Sequence, residues 1–112
     1  MAKKYTLVVL TNAVAGQEEE FNEWYSNQHL GDVIAVPGFV SAQRFRLASK
    51  PVAGEPLYKY YATYDLETDD PDAAIAEMMA RVGTDKMPMS TGMDPTFYVV
   101  LYEPITAKVQ KD

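Results

Sequence analysis

The distribution of apolar and polar residues along the chain predicts four strands and two helices. Short runs of β-branched and apolar residues bounded by Gly, Pro, Asn or Asp are typical of strands. Apolar residues that recur every three or four positions indicate a helix with one buried face. In chain order, the predicted elements are a strand over 4–11, a helix from 17 to about 31, strands over 39–47 and 57–66, a helix over 71–82 and a strand over 96–103.

The first predicted helix contains the only His and the only Trp of the chain. Tyr25 and His29 are four residues apart, so helical spacing places them on one face. Gly31 is expected to end this helix or to let the chain turn. At the second helix, Asp70 is suited to the N-cap and Pro71 to the first helical position.

The order β-α-β-β-α-β is the split βαβ, or ferredoxin-like, pattern. We therefore expect an α+β domain with a four-stranded antiparallel sheet and two helices on one face. Strict alternation along the second strand puts Arg44 and Arg46 on the face opposite Phe39. Three tyrosines share one face of the third strand: Tyr58, Tyr60 and Tyr64. The sequence leaves open whether these tyrosines point towards the helices or away from them.

Both faces of the predicted sheet carry sizeable side chains, although two helices cover only one face. A sheet with one face in water would alternate apolar with charged residues. We therefore expect the second face to pack against the sheet of a second copy, which makes a homodimeric α+β barrel. The space between the two sheets is either a pocket for a small molecule or a dry dimer interface.

Composition and charge exclude several classes of function. Residues 1–106 are expected to form a single domain, followed by a polar tail over 107–112. The absence of Cys excludes disulfides and thiolate chemistry, and a single His argues against a zinc site. A net charge of −6 provides no attraction for nucleic acid or anionic membranes.

The N-terminal apolar run is too short for a signal peptide or a bilayer span, so we expect a cytoplasmic protein. No Gly-rich nucleotide-binding pattern occurs, and we expect neither a metal nor a cofactor.

Two stretches of the chain resemble the EthD-like families of the dimeric α+β barrel superfamily. The first, over 20–30, contains Trp-Tyr-Ser-Asn-Gln-His, and the second, over 36–47, contains Val-Pro-Gly-Phe and then Arg-Phe-Arg. The Tyr-Glu-Pro sequence after the last strand is also similar. The superfamily includes cofactor-free monooxygenases, polyketide cyclases, muconolactone isomerase-like enzymes and heme-binding branches. The resemblance implies site roles for four residues: Tyr25, His29, Arg44 and Arg46.

Two mechanisms of the superfamily fit this sequence poorly. Barrel cyclases often use a second His on a strand, and this chain has only one His. Heme-binding members need an axial ligand, for which His29 would be the one nitrogen candidate. Its motif is shared with relatives that do not bind heme, which argues against that role.

Each candidate residue has a chemical and a structural interpretation. His29 is either a general acid–base group with a pKa near the working pH or a group whose hydrogen bonds pin the helix end. Tyr25 is either a donor to a developing oxyanion or a core ring. Arg44 and Arg46 either bind a carboxylate of the ligand or pair with surface carboxylates.

The remaining candidates would line a ligand site. The tyrosines of the third strand form an aromatic wall for a ligand if they face it, and otherwise belong to the core. Met87 and Met89 lie in a loop with more flexible apolar side chains than a plain solvent loop needs. This loop is either a lid over the site or is folded onto its own helix.

These observations predict a small-molecule enzyme that acts by proton transfer without a cofactor, as an isomerase, cyclase or lyase of the dehydratase type. The ligand would be a small apolar or aromatic metabolite. A monooxygenase-like reaction is the alternative chemistry for an enzyme of this kind. Other interpretations are an EthD-like accessory to an oxygenase system, a non-catalytic binding protein, and a structural dimer without a cavity.

Overall fold

The structure, a computed structural model, describes residues 2–112 and has the predicted order of elements. The strands are β1 (Lys3–Thr11), β2 (Phe39–Arg46), β3 (Tyr60–Thr68) and β4 (Tyr98–Tyr102). The helices are α1 (Glu18–Trp24), α2 (Leu30–Ile34) and α3 (Pro71–Arg81). A π-helical turn, Tyr25–His29, joins α1 to α2. The predicted elements are therefore all present, with their ends displaced by a few residues.

The four strands form one antiparallel sheet in the order β2-β3-β1-β4. This is the ferredoxin-like α+β fold that the sequence predicted. Leu7 in the central strand β1 lies opposite Tyr64 on one side and Leu101 on the other. All three side chains consequently point to the same face, which is the face that the helices cover. The most deeply buried side chains belong to this layer: Leu7, Phe21, Tyr25, Val33, Val36, Tyr64, Leu66 and Met87.

A β-bulge in β2 changes the predicted facing of Phe39. Phe39 pairs with Leu66 and Ala42 pairs with Tyr64, so the register shifts after Phe39. The extra residue turns Phe39 to the same face as Ala42 and Arg44. The prediction that Phe39 lies opposite the arginines is therefore wrong, because it assumed strict alternation.

The sequence predicted that Gly31 either ends the first helix or lets the chain turn. Gly31 does not end the helix. The helix continues to Ile34, and the amide of Ala35 still donates to the carbonyl of Gly31 at 3.1 Å. The chain then turns at Gly38, whose φ of 97° is favourable only for glycine. A Cβ at Gly38 would lie 3.3 Å from the Cβ of Ala74, so this glycine also lets the turn approach α3.

The face of the sheet that points away from the helices is open in the single chain. Its apolar side chains include Val8, Leu10, Phe45, Tyr61, Tyr98, Val100 and Tyr102. Phe45 and Tyr61 stack at 4.6 Å across two neighbouring strands of this face. Residues 103–112 form no helix or strand and are exposed. Within residues 2–112, none of the helices has the length and apolarity needed to cross a membrane.

Candidate functional site

A cavity of about 90 Å³ lies between the helices and the sheet, within a single chain. It is lined by Val9, Tyr25, His29, Val33, Tyr64, Met78, Met79, Val82, Met87, Met89, Met93, Phe97 and Val99. We call it the methionine cavity, since every methionine among residues 2–112 lines it. From the sequence, we expected either a ligand pocket or a dry interface between the sheets of two copies. The methionine cavity lies on the other side of the sheet, and Tyr64 is part of its lining.

Two tyrosine hydroxyls form a buried pair at the cavity wall. The hydroxyl of Tyr64 donates to the hydroxyl oxygen of Tyr25 at 2.9 Å. Burial is the main cause that raises the pKa of both phenols, so both are protonated at neutral pH. Each phenol has one proton to donate, and the proton of Tyr64 is used within the pair. Tyr25 accepts in this bond, so its own hydroxyl proton is left to donate elsewhere.

His29 lies beside this pair with only 8% of its surface exposed. Its ring stacks on Trp24 at a centroid distance of 4.5 Å and meets the ring of Tyr25 edge-on at 4.8 Å. Its Nδ1 atom is buried and has no hydrogen-bond partner within residues 2–112. Such an unpaired buried atom costs about 1–3 kcal/mol, and in a native protein it calls for an explanation.

The electrostatic environment keeps the imidazole of His29 neutral. Burial, and to a smaller extent the charge of Arg44, lower its pKa to about 4. The expectation of a pKa near neutrality is therefore not met, because the sequence does not show how deeply the ring is buried. The alternative role, hydrogen bonds that pin a helix end, also receives no support, since Nδ1 is unpaired and the helix continues beyond His29.

Arg44 lies behind the site and does not line the cavity. Its guanidinium donates to the Ser26 hydroxyl at 2.8 Å and to the Asn22 side-chain oxygen at 3.0 Å. Its central carbon lies 4.4 Å from the centre of the Tyr25 ring, a cation–π contact. Arg46 shares the strand face of Arg44, as predicted, but is exposed and lines a separate open cleft. Neither arginine therefore touches the methionine cavity.

The other two predicted tyrosines also lie outside the cavity. Tyr60 is buried beneath α1, where its hydroxyl donates to Glu18 and accepts from the Asn22 side-chain amide. Tyr58 precedes β3, so the prediction that the third strand includes it is wrong. The strand begins at Tyr60 because Asn12 instead bonds the preceding segment, where it accepts from the Lys59 amide at 2.8 Å.

The segment between α3 and β4 covers the cavity, as a lid would. Both of its predicted methionines line the cavity: Met87 is fully buried, and Met89 is partly exposed at the mouth. The segment is held in place, since the Trp24 indole donates to the carbonyl of Pro88 at 2.9 Å. The amide of Gly83 also donates to the carbonyl of Met87 at 2.9 Å.

Several lining residues were not predicted as site residues. Met78, Met79 and Val82 lie in the helix predicted over 71–82, and Met93 lies in the loop that follows it. The signal that could have joined them is the concentration of methionine in one helix and the loop that follows it. Among residues 2–112, no group of three or more His, Cys, Asp or Glu side chains is arranged to hold a metal ion.

Comparisons with known proteins identify the fold. No family model matches the chain, and no curated protein sequence matches it. A protein from Shewanella loihica, proposed to be a monooxygenase, is 18% identical over 96% of this chain and 99% of its own, with a TM-score of 0.63. The heme-degrader MhuD from Mycobacterium tuberculosis, solved with two hemes in its active site, is 19% identical over 94% and 99%, with a TM-score of 0.61. An EthD family protein from Bacillus halodurans is 17% identical over 94% and 100%, with a TM-score of 0.54.

At these identities the likeness shows a shared fold. The chain is a ferredoxin-like α+β protein whose structural neighbours include an EthD family protein, which confirms the predicted resemblance at the level of the fold.

Proposed function

We propose that this protein is an enzyme that moves a proton on a small apolar metabolite in the methionine cavity. The observation that carries this proposal is that His29 and Tyr25, each with a polar group left to bond, line the same apolar cavity. The Nδ1 atom of His29 has no partner, and Tyr25 has a hydroxyl proton to donate. A proton acceptor beside a hydrogen-bond donor is the arrangement that proton transfer next to a carbonyl requires.

The reaction begins when the neutral imidazole of His29 takes a proton from a carbon or hydroxyl group of the ligand. The electron pair left behind moves onto a ligand oxygen that accepts the hydrogen bond of Tyr25. Tyr64 donates to the oxygen of Tyr25 and polarises that hydroxyl further. The electron pair then returns from the ligand oxygen to the carbon framework. The imidazolium gives its proton to another carbon, which completes an isomerisation, or to a hydroxyl whose C–O bond breaks as a C=C bond forms, which releases water and completes a dehydration.

The low pKa of His29 restricts the substrates. At neutral pH the imidazole is almost entirely in the basic form, but it is a weak base. Proton transfer is efficient when the acid and the base are matched. The proposal therefore favours ligands with an activated C–H or O–H group, such as a carbon next to two electron-withdrawing groups.

The size of the cavity restricts the ligand as well. A cavity of roughly 150 Å³ takes up benzene, and this one measures about 90 Å³. Larger ligands must displace methionine side chains, which are flexible enough to adapt. Met79 and Met89, both partly exposed, mark the mouth through which such a ligand enters.

Heme, the ligand of MhuD, does not fit the methionine cavity as observed. A porphyrin ring is several times larger than benzene, and the cavity is smaller than one that holds benzene. Its lining contains no positively charged side chain to meet the heme propionates. We therefore derive no step through heme.

The proposal includes a second copy on the open face of the sheet. That face exposes large apolar side chains, among them Tyr61, Tyr98 and Tyr102, which a soluble monomer rarely presents together. Light scattering after size exclusion is expected to give the mass of two chains, and of one chain for Tyr61→Glu. A wild-type monomer at micromolar concentration would contradict the homodimer.

Proton abstraction can be tested before the natural substrate is known. Nitroethane is small, and its C–H is much more acidic than that of a simple ketone. Its oxygens can also accept the hydrogen bond of Tyr25. We expect the protein to accelerate hydrogen–deuterium exchange of nitroethane in D₂O, followed by proton NMR, beyond the same concentration of free imidazole. His29→Ala is expected to abolish the acceleration, and Tyr25→Phe to reduce it about 10²-fold or more, as oxyanion donors do.

The matched control is Arg46→Gln, which changes an exposed residue outside the cavity and is expected to leave the exchange rate unchanged. Nitroethane binding, measured from the shifts of the methionine methyl signals, separates catalysis from binding. Binding with no acceleration would contradict the enzyme and favour a carrier. Acceleration that survives His29→Ala would remove His29 from the mechanism.

A further inference from the structure

We infer that a second site, an open cleft at the edge of the sheet, binds the carboxylate of a small molecule through Arg44 and Arg46. The cleft measures about 280 Å³ and lies between the first helix and the edge strand β2. We call it the arginine cleft, and it is lined by Asn22, Ser26, Arg44, Phe45, Arg46 and Tyr60. None of these residues lines the methionine cavity. The inference therefore goes beyond the proposed proton transfer and does not depend on it.

The charge of the arginine cleft is opposite to that of the chain. The chain has 16 acidic and 10 basic residues, yet the lining contains two guanidinium groups and no carboxylate. Within residues 2–112, no ion pair includes Arg44 or Arg46. Of the two roles considered for these arginines, pairing with surface carboxylates is therefore not observed.

The acidic side chain that influences this region, Glu18, is already engaged. Its carboxylate accepts hydrogen bonds from Lys59 and Tyr60. These bonds are the main cause that lowers the pKa of the Glu18 carboxyl, and the charge of Arg46 is a minor one. The two arginines therefore remain available to an anion from outside the chain.

Neutral partners hold the Arg44 guanidinium in place. Its Nη1 donates to the Ser26 hydroxyl at 2.8 Å and to the Asn22 carbonyl at 3.4 Å. Its Nη2 donates to the Asn22 side-chain oxygen at 3.0 Å. Since a guanidinium has five N–H donors, Nε–H and one proton of Nη2 are left to bond elsewhere. These two nitrogens are neighbours on the guanidinium, and such a pair can bind a carboxylate with two parallel hydrogen bonds.

Partial burial makes a countercharge valuable to Arg44. The side chain is partly buried, and its central carbon lies 4.4 Å from the centre of the Tyr25 ring. Cation–π attraction favours this position but does not neutralise the charge. Charges that leave water are normally paired in proteins, and a bound carboxylate would supply the pair.

The construction of the arginine cleft favours a carboxylate over a phosphate. Phosphate sites usually gather backbone amides at a helix N-terminus or in a turn. Here the polar groups are side chains that start inside regular elements: Asn22 in α1, Ser26 in the π-helical turn and Arg44 in β2. Phe45 adds an aromatic side chain to the lining. Benzoate, a planar ring with one carboxylate, is therefore a suitable probe.

Benzoate binding to the full chain tests the inference. The NMR signals of the Asn22 side-chain amide and of the arginine Nε–H groups report the cleft, at an ionic strength held constant with sodium chloride. We expect benzoate to cause saturable shifts. Arg46→Gln, at an exposed position, should raise the dissociation constant about tenfold, the equivalent of one charge-assisted hydrogen bond. Lys108→Gln removes the same charge from the exposed C-terminal segment and should leave the dissociation constant unchanged.

A second variant tests the geometry of the contact. Arg44→Lys keeps the positive charge but loses the planar fork, so it should also weaken benzoate binding about tenfold. The dispersion of its amide spectrum shows whether this variant folds. If it does not, the comparison of Arg46→Gln with Lys108→Gln decides the question by itself.

The neutral analogue and a second anion complete the test. Benzamide has the shape of benzoate without its charge and is expected not to bind; binding equal to that of benzoate would overturn the inference. Shifts that grow without saturation would do so too, as would equal weakening in Arg46→Gln and Lys108→Gln, because both indicate general attraction between charges. Inorganic phosphate is expected to bind more weakly than benzoate, and tighter binding would overturn the assignment to a carboxylate.

Discussion

Lowering the pH from 7 to 5 is expected to destabilise the protein by about 2 kcal/mol through His29 alone. The pKa of His29 is about 4 in the folded chain, against an ordinary value of 6.5. Between these values the unfolded chain binds the proton more tightly, so stability rises with pH. The stabilisation is present above pH 6.5 and is lost as the pH falls towards 4. The full difference corresponds to about 3 kcal/mol, and roughly 2 kcal/mol of it falls between pH 7 and 5.

The assay is urea unfolding at pH 7, 6 and 5, followed by the fluorescence of Trp24, the only tryptophan, which stacks on His29. The reference is His29→Gln, which keeps a polar side chain but cannot titrate in this range. The carboxylates contribute equally to the pH dependence of both proteins. The difference between the two slopes of unfolding free energy against pH therefore reports His29 alone. Parallel slopes between pH 7 and 5 would refute the assignment of a low pKa, and with it the deep burial of the imidazole.

Three further substitutions test the packing around the cavity. Tyr64→Phe removes the donor to Tyr25 and should cost about 1 kcal/mol of unfolding free energy, the usual net value of a hydrogen bond. Met87→Ala should cost about 2–5 kcal/mol because Met87 is fully buried, whereas the partly exposed Met89→Ala should cost less than half as much. Trp24→Phe removes the hydrogen bond that holds the covering loop, so amide exchange in that loop should accelerate. Equal costs for the two methionine variants, or unchanged exchange in the loop, would contradict the packing described.

The sequence predicted the elements well because each depends on a local pattern. Asp70 caps α3 by accepting from the amide of Ala73, and Pro71 begins the helix, as their positions implied. The failures occurred where tertiary contacts overrode that pattern. Gly31 lies inside a helix because Val33, a little further along, is buried against the sheet. Phe39 changed face because of a bulge, which no alternation of residue types reveals.

The candidate site was predictable only in part. Helical spacing predicted that Tyr25 and His29 lie next to each other, and their rings are in contact. The segment from Tyr25 to His29 is, however, a π-helical turn. The flexible apolar side chains of Met87 and Met89 indicated either a lid over the site or a loop folded onto its own helix, and both residues line the cavity. The position of Arg44 was not predictable, because its partners come from a different element and lie far away along the chain.

By itself, the sequence determined the order of elements, the ferredoxin-like fold, and the helical segment on which Tyr25 and His29 lie side by side. These depend on spacing and composition, which are properties of the chain. Only the tertiary structure decided which face of the sheet holds the cavity, which tyrosine reaches it, and how far the pKa of His29 falls. Those properties depend on burial and on charges from distant segments, and they exist only once the chain has packed.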